Sequence, residues 1–298
     1  MKIFVTGAGG FIGGTVAMRL RAQGHEILGL VRNDVAASRL SQNGIEPVMG
    51  NLDDTDLLIQ LARLSDAVIN TANADHLGSV EALLEGLKGS GKPLLHTSGS
   101  SVVGDDARGE YCSSTVFDEQ TPWVINPFKQ ARHDIDLRVL AGVKDGIKTA
   151  VICPSLIYGI GTGLNSHSVQ IPFLASNARE KGAVEIVGKG LNVWGNVHIE
   201  DVASLYQLVL EKGPGGVFYF VENGEASYAD VGQVLAQRLG LQVAHLEPEV
   251  AAERWGIARA YFSFGSNSRV RARRAREELG WVPQHNSVFN WIANEAQF

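Results

Sequence analysis

The sequence is poor in the residue types that mark several classes of protein. It has two cysteines among 298 residues, which is too few for a disulfide framework and suits a reducing compartment. Its formal net charge of −6 gives no general attraction to nucleic acid or to an anionic membrane. No apolar run approaches the roughly 20 residues that a membrane helix needs. We therefore expect a cytoplasmic protein without a nucleic-acid or membrane partner.

Two further absences concern chemistry. The eight histidines are scattered, without the H-x-x-x-H or C-x-x-C spacing of a metal site, so we expect no metal. No tyrosine lies between residues 112 and 157. Any chemistry in that segment has to use other side chains.

Short β-branched segments alternate with helical patterns in the first half of the chain. The predicted strands are 2–6, 26–31, 46–49, 66–71, 93–98 and 149–153. Between them apolar residues recur at helical spacing, as at Val80, Leu83, Leu84 and Leu87. Such alternation predicts parallel strands joined by right-handed crossovers. The predicted fold class is α/β, with a doubly wound parallel sheet.

After Pro154 the pattern changes. The stretch 155–195 is rich in Gly, Ser and Asn, with one predicted strand at 183–188. We then predict a helix over 202–210, a strand at 217–221, a helix opened by Ser227 and a basic, solvated helix near 268–279. We interpret residues 1–154 as a nucleotide-binding domain to which the chain returns at about 193–221. Residues 155–192 and 222–298 would form a smaller substrate lobe.

A glycine-rich loop follows the first strand. KIFVTGAGGFIGG places Gly7, Gly10 and Gly13 between a strand and a helix. Gly7 permits a tight turn, Gly10 lets the backbone approach a pyrophosphate, and Gly13 lets helix and strand pack closely. The helix N-terminus then presents N–H groups to the phosphates. The loop predicts a dinucleotide site of the Rossmann type.

The end of the second strand bears on the choice of dinucleotide. An acidic residue there would bind the ribose 2′-hydroxyl, whereas an arginine accommodates a 2′-phosphate. The strand ends in Val31-Arg32-Asn33, with no carboxylate before Asp34. Arg32 therefore favours NADP, with NAD as the alternative.

Several segments together resemble a known family. TGAGGFIG, GNLDD (50–54), VINTA (68–72), HTSGSSVVG (96–104), CPSLIYG (153–159), NVHIEDVA (196–203) and ELGWVP (278–283) resemble landmarks of the extended short-chain dehydrogenase/reductases, which include the NAD-dependent epimerase/dehydratases. The resemblance implies contacts to the adenine, the riboses and the nicotinamide. The implied cofactor residues are Thr6, Gly7, Gly10, Phe11, Ile12, Gly13, Arg32, Asn51, Leu52, Thr71, Ala72, Lys129, Pro154 and Ser155.

The usual active site of that family is incomplete in this chain. The family uses a tyrosine as general acid/base, with a lysine four residues later on the same helix. NPFKQARH has Lys129, but the position four residues earlier is Ile125. Asn126 and Pro127 predict that the helix begins at 127. The position matched to the family serine is Gly99, with Ser98, Ser100 and Ser101 beside it.

Other groups could take over the chemistry. The resemblance implies that Lys129 keeps a role at the cofactor ribose. For proton transfer we favour Tyr158 over Tyr111 and His133, and for binding the substrate oxygen we select Ser98. The candidate catalytic residues are thus Lys129, Tyr158 and Ser98.

We expect an NADP-dependent oxidoreductase acting on a carbonyl or hydroxyl group of a small molecule. One alternative is an epimerase or dehydratase of a nucleotide-linked sugar, and another is a non-catalytic NADP-binding sensor. The family resemblance also implies a homodimer formed by the helices at about 79–88 and 127–141.

Overall fold

The computed structural model describes residues 1–298, and their first half alternates strands with helices, as predicted. Each predicted strand of this half is present to within one residue at either end. The elements are β1 (Lys2–Thr6), α1 (Phe11–Ala22), β2 (Glu26–Val31), α2 (Asp34–Gln42), β3 (Glu46–Met49), α3 (Thr55–Leu64), β4 (Ala67–Asn70), α4 (Leu77–Leu87), β5 (Pro93–Thr97), α5 (Gln130–Ala141) and β6 (Lys148–Pro154).

The second half contains shorter strands and six of the helices. Ser227 caps its helix as predicted, because its hydroxyl accepts a hydrogen bond from the N–H of Asp230. The elements are β7 (Leu156–Tyr158), α6 (Gln170–Lys181), β8 (Ala183–Val187), β9 (Val193–His198), α7 (Ile199–Lys212), β10 (Val217–Val221), β11 (Glu225–Ser227), α8 (Tyr228–Leu239), β12 (Gln242–Leu246), α9 (Pro248–Trp255), α10 (Arg273–Leu279) and α11 (Val288–Asn294).

Seven strands form one parallel sheet in the order β10-β6-β5-β4-β1-β2-β3. The chain winds outward from β1 in one direction and from β4 in the other, which confirms the doubly wound α/β fold. Every residue of β4 is buried, as expected for a parallel strand covered on both faces. The order reverses between β1 and β4, and ligands bind at the carboxyl ends of the strands beside such a point.

Hydrophobic cores cover both faces of this sheet. On one face α1 and α7 bury Val16, Leu20 and Tyr206. On the other face α3, α4 and α5 bury residues such as Leu58 and Leu83. A third core lies in the C-terminal lobe, between α6, α8 and α11. The C-terminal lobe therefore has a hydrophobic core of its own.

Two expectations for the second half were wrong in part. Residues 193–198 form β9, which pairs with β7 and β11 in a separate three-stranded sheet, so only β10 extends the main sheet. The basic helix is confined to α10, because residues before it run extended, with Ser268 and Val270 bridged to other segments. Arg269 and Arg271 both pair with Glu225 instead of being solvated on a helix.

The segment NPFKQARH begins as a single 3-10 turn and then becomes α5. The Asn126 side chain accepts a hydrogen bond from the N–H of Phe128, as a capping residue does. The turn spans Pro127–Lys129, and the α-helix itself starts three residues later than predicted. In this chain α4 and α5 are joined by an Arg138–Glu81 ion pair, and the homodimer through these helices stays a prediction.

None of the helices is both long and apolar enough to cross a membrane.

Candidate active site

A continuous cleft runs over the carboxyl edge of the main sheet. Its first part, of about 600 Å³, is lined by the glycine loop and by the ends of β2 and β3. Its second part, of about 470 Å³, reaches the ends of β5 and β6 and the C-terminal lobe. The two parts share Gly10, Thr71 and Ala72. The cleft is thus long enough to receive an extended ligand across the sheet.

The glycine loop presents backbone to the middle of the cleft. Gly7 has φ +75°, and a Cβ there would lie 2.8 Å from Thr71 Oγ1. A Cβ at Gly13 would overlap both Thr71 Oγ1 and the Gly7 carbonyl oxygen. Gly10 precedes α1, and no side chain caps that helix. The N–H groups of its first turn therefore suit an anionic group such as a phosphate, and the loop fits a dinucleotide.

The first part of the cleft ends at Arg32. This side chain is exposed, lines the cleft and forms no ion pair, so its guanidinium is free to meet an anion. The neighbouring Asn33 is engaged otherwise, since its side chain accepts the N–H of Ala36 at the start of α2. Asn51 and Leu52, the predicted contacts to the adenine, line the same part of the cleft.

Serines line the other end of the cleft. Ser98, Pro154 and Ser155, each a predicted site residue, all line this end. The Ser155 hydroxyl donates to the Val221 carbonyl at 3.0 Å, which occupies its proton. The Ser98 hydroxyl instead donates to a carboxylate oxygen, Asp136 Oδ2, at 2.7 Å. Of these two serines, Ser98 is therefore the one coupled to an acid.

Arg132 lies against the position matched to the family serine. A Cβ at Gly99 would be 3.4 Å from Arg132 Nη1, and the same nitrogen is 3.4 Å from Ser101 Oγ. The guanidinium is held in place by Asp75, whose Oδ1 accepts the Arg132 Nε–H at 2.7 Å. The space beside Gly99 thus borders a cation.

Lys129 lies beside the cleft rather than in its lining. Its ammonium nitrogen is 4.8 Å from the centre of the Phe262 ring, which belongs to a π-helical segment, Ala258–Phe264. Burial and then the nearby Arg132 charge lower the pKa of Lys129 to about 8. Thr6 lies beneath the loop, where its hydroxyl donates to Asn70. Ile125 packs against the core on the α5 side of the sheet.

The other candidate proton donors are held by different contacts. The Tyr158 hydroxyl is buried and donates to the His285 carbonyl at 3.2 Å, and burial raises its pKa. Tyr111 is 48% exposed, and its pKa is also raised, first by burial. His133 packs against Trp123, with 5.7 Å between ring centres. None of the three lines the cleft beside Ser98.

Two buried ionisable residues of the site were not singled out from the sequence. His96 on β5 and Asp136 on α5 are each 1% exposed. The His96 Nδ1 is 3.1 Å from the Asn70 amide, and its Nε2 is 3.9 Å from Asp136 Oδ1. One signal was available, because Asp136 and Val139 share a helix face at i, i+3 and a carboxyl group is unusual among apolar neighbours.

A cluster in the C-terminal lobe was also missed by sequence spacing. Ligand atoms of His198, Glu200 and His285 lie within 4.8 Å of one another. The two imidazoles stack, with ring centres 3.8 Å apart, and His285 also contacts Asp201. These groups hold one another and the β9–α7 junction, and we propose no metal there.

Comparisons with known proteins agree with this geometry. The NAD dependent epimerase/dehydratase family matches residues 3–220, and the chain belongs to that family. It is 33% identical to the oxidase ucsJ of an Acremonium species, over 95% of this chain and 92% of that protein. It is 28% identical to 2-alkyl-3-oxoalkanoate reductase of Stenotrophomonas maltophilia, over 76% of this chain and 71% of the relative.

Solved structures confirm the fold. DesIV, a dTDP-glucose 4,6-dehydratase of Streptomyces venezuelae solved with NAD and TYD bound, superimposes with a TM-score of 0.79. The match covers 98% of this chain and 95% of DesIV at 22% identity. At that identity the likeness establishes the architecture.

Proposed function

We propose that this protein is an NADP-dependent oxidoreductase that interconverts a carbonyl and a hydroxyl group on a small, uncharged molecule. The observation that carries the proposal is the continuous cleft, with a backbone-lined middle, a free guanidinium at one end and an acid-coupled hydroxyl at the other. The relatives named as an oxidase and as a reductase support redox chemistry.

NADP is proposed over NAD because of Arg32. Its unpaired guanidinium at the end of β2 has the forked donor geometry that matches a phosphate. The NAD found in DesIV supports a dinucleotide in this cleft without deciding between the two cofactors. When bound, such a cofactor supplies or accepts the hydride, and the protein orients the reactants.

An uncharged substrate is proposed because the lining of the second part of the cleft has no charged residue. Arg132, which borders it beside Gly99, is already paired with Asp75. In the neighbouring groove of about 460 Å³ the only cationic residue is Arg269. Its guanidinium already binds Glu225 at 2.6 Å and the Ser113 carbonyl at 2.7 Å. A diphosphate would find no free cation there.

The second candidate function is an epimerase or dehydratase of a nucleotide-linked sugar. It is favoured by the likeness to DesIV, which is a dTDP-glucose 4,6-dehydratase. It is disfavoured by Arg269, whose guanidinium is already paired with Glu225.

A turnover screen tests the proposal. NADPH consumption would be followed with panels of aldehydes, ketones and nucleotide sugars, each with and without protein. We expect turnover with an uncharged carbonyl compound. Turnover restricted to nucleotide sugars would favour the second function. Tight NADPH binding without turnover across broad panels would favour a sensor.

A further inference from the structure

A buried carboxyl group lies directly behind the Ser98 hydroxyl. Asp136 projects from α5, is 1% exposed, and accepts the Ser98 hydrogen bond at 2.7 Å. Ser98 itself lines the cleft beside Pro154 and Ser155. A substrate oxygen that reaches Ser98 is therefore one hydroxyl group away from the Asp136 carboxyl.

Few groups around Asp136 stabilise the negative charge of its ionised carboxylate. Its Oδ1 has no hydrogen-bond partner, and neither has His96 Nε2, 3.9 Å away. Burial raises the pKa of Asp136 to about 7, against the opposing effects of the Ser98 hydrogen bond and Arg132. Burial also lowers the pKa of His96 to about 4, which leaves that imidazole neutral. Near neutral pH both forms of Asp136 are then populated, as proton transfer requires.

Other ionisable groups face Asp136 from the neighbouring elements. Arg132 on α5 and Asp75 before α4 form an ion pair, so their opposite effects on the Asp136 charge partly cancel. The Cys153 thiol on β6 is completely buried, which raises its pKa and keeps it neutral. Burial therefore dominates the behaviour of the Asp136 carboxyl.

A second cavity, separate from the cleft, is lined in part by Asp136. It has a volume of about 140 Å³ and is bordered by Glu119 and His133. A water molecule fills about 30 Å³ of liquid, so several fit. His133 Nδ1 is buried without a hydrogen-bond partner, and Glu119 is half-buried with a pKa raised by burial. The cavity gives the carboxyl a route for proton exchange apart from the cleft.

We propose that Ser98 and Asp136 form a proton relay to the substrate oxygen. The proposal rests on the oxidoreductase function proposed above. In carbonyl reduction the substrate carbon accepts a hydride, with the reduced dinucleotide as reductant, and the π electrons of the C=O bond move to oxygen. That oxygen takes the Ser98 proton while the Asp136 carboxyl returns one to Ser98. The carboxylate is reprotonated by water from the second cavity, and alcohol oxidation reverses each transfer.

The pH dependence of turnover tests the relay. Reduction needs the protonated carboxyl, so its rate should be constant below about pH 7 and fall above it. Oxidation needs the carboxylate and should rise over the same interval. Asp136→Asn should lower both rates about 10²–10⁴-fold and remove this pH dependence. Unchanged rates and an unchanged profile in Asp136→Asn would overturn the relay.

Matched variants separate the relay from a packing effect. Asp134→Asn lies on the exposed side of the same helix, where Asp134 contacts Gln130, and should keep wild-type rates. Ser98→Ala should lose as much as Asp136→Asn, whereas Ser98→Thr keeps a hydroxyl and should recover most of the rate. All variants should bind the dinucleotide within about threefold of wild type, because the relay acts in the transition state. Equal rates in Ser98→Ala and Ser98→Thr would contradict the proposal.

Infrared spectroscopy tests the carboxyl without a substrate. The difference between wild type and Asp136→Asn should contain a protonated carboxyl band at about pH 6 that is lost by about pH 8. Absence of the band at both pH values would overturn the relay even if the oxidoreductase function holds. Failure of any dinucleotide to bind would instead overturn the proposed function.

Discussion

In the middle of the cleft the glycine loop presents backbone, whereas the Ser98 end depends on contacts between buried side chains. Gly7 and Gly13 leave no room for a Cβ against Thr71, and this requires only glycine at fixed spacing. The Ser98–Asp136 contact joins residues 38 positions apart in the chain. The glycine loop and the Ser98 end can therefore change independently of each other.

The largest effect is expected from a substitution in the glycine loop. Gly13→Val adds a branched side chain that would overlap Thr71 Oγ1 and the Gly7 carbonyl oxygen. We expect a loss of dinucleotide affinity of more than about 100-fold, because the loop must move away from β4. Calorimetric titration measures it, with circular dichroism as the check on folding.

Gly78→Ala in α4 is the matched control. A Cβ there would meet its nearest neighbour, the His76 ring, at an ordinary 3.5 Å. This variant should bind like wild type. A Gly13→Val protein with wild-type affinity would contradict the claim that the glycine loop binds the dinucleotide through closely packed backbone.

The next largest effect concerns the stability of the protein and depends on the Asp136 carboxyl behind Ser98. The pKa of Asp136 is raised to about 7 in the folded protein, above its value of 3.8 without the fold. The native state thus holds this proton more tightly, and its contribution to stability is lost as pH rises from about 4 to about 7.

Asp136→Asn removes that pH dependence. We compare the melting temperature of Asp136→Asn with that of the wild type at each pH. This difference should be roughly 5 °C more favourable to the variant at pH 8 than at pH 4.5. Scanning calorimetry at both pH values measures the gain, and Asp134→Asn should show none. A difference that does not depend on pH would mean that Asp136 is ionised throughout.

A smaller effect, on dinucleotide affinity, is expected for Lys129, which lies beside the cleft. Its pKa of about 8 leaves the ammonium charged below that pH and neutral above it. If it binds the cofactor ribose, wild-type affinity should fall as pH rises through 8. Lys129→Met should bind about three- to tenfold more weakly at pH 7 and lose this dependence. Fluorescence titration measures both, with the exposed Lys88→Met as control. Identical curves for Lys129→Met and wild type would remove Lys129 from the site.

Tyr158→Phe should have the smallest effect. Its hydroxyl binds the His285 carbonyl in the lobe, away from Ser98. We expect a loss of about 1 kcal/mol in the free energy of unfolding. Turnover should stay within about twofold of wild type, since no positioned acid is removed. A rate loss of 100-fold would return Tyr158 to the proton-transfer role predicted from the sequence.

The strands and the glycine loop could be predicted because each depends on a local pattern. β1, β2, β3 and β10 match their predicted bounds, and Gly7, Gly10 and Gly13 line the cleft. Period, composition and spacing within about ten residues are sufficient for such features.

The pairing of side chains could not be predicted in the same way. Arg269 and Arg271 belong to a strongly basic run, and only the fold brings Glu225 between them. Asp136 likewise meets Ser98 because α5 packs beside the end of β5. Such contacts depend on tertiary packing that no local pattern encodes.

The most direct test of the central claim is an equilibrium titration of NADPH and NADH against the wild type and Arg32→Ala. We predict that the wild type binds NADPH at least about tenfold more tightly than NADH, as a charge-assisted pair with the 2′-phosphate implies. Arg32→Ala should lose this preference while NADH affinity stays unchanged. The exposed Arg63→Ala, on α3 away from the cleft lining, should keep it. Equal affinities in the wild type, or no binding of either dinucleotide, would contradict the account.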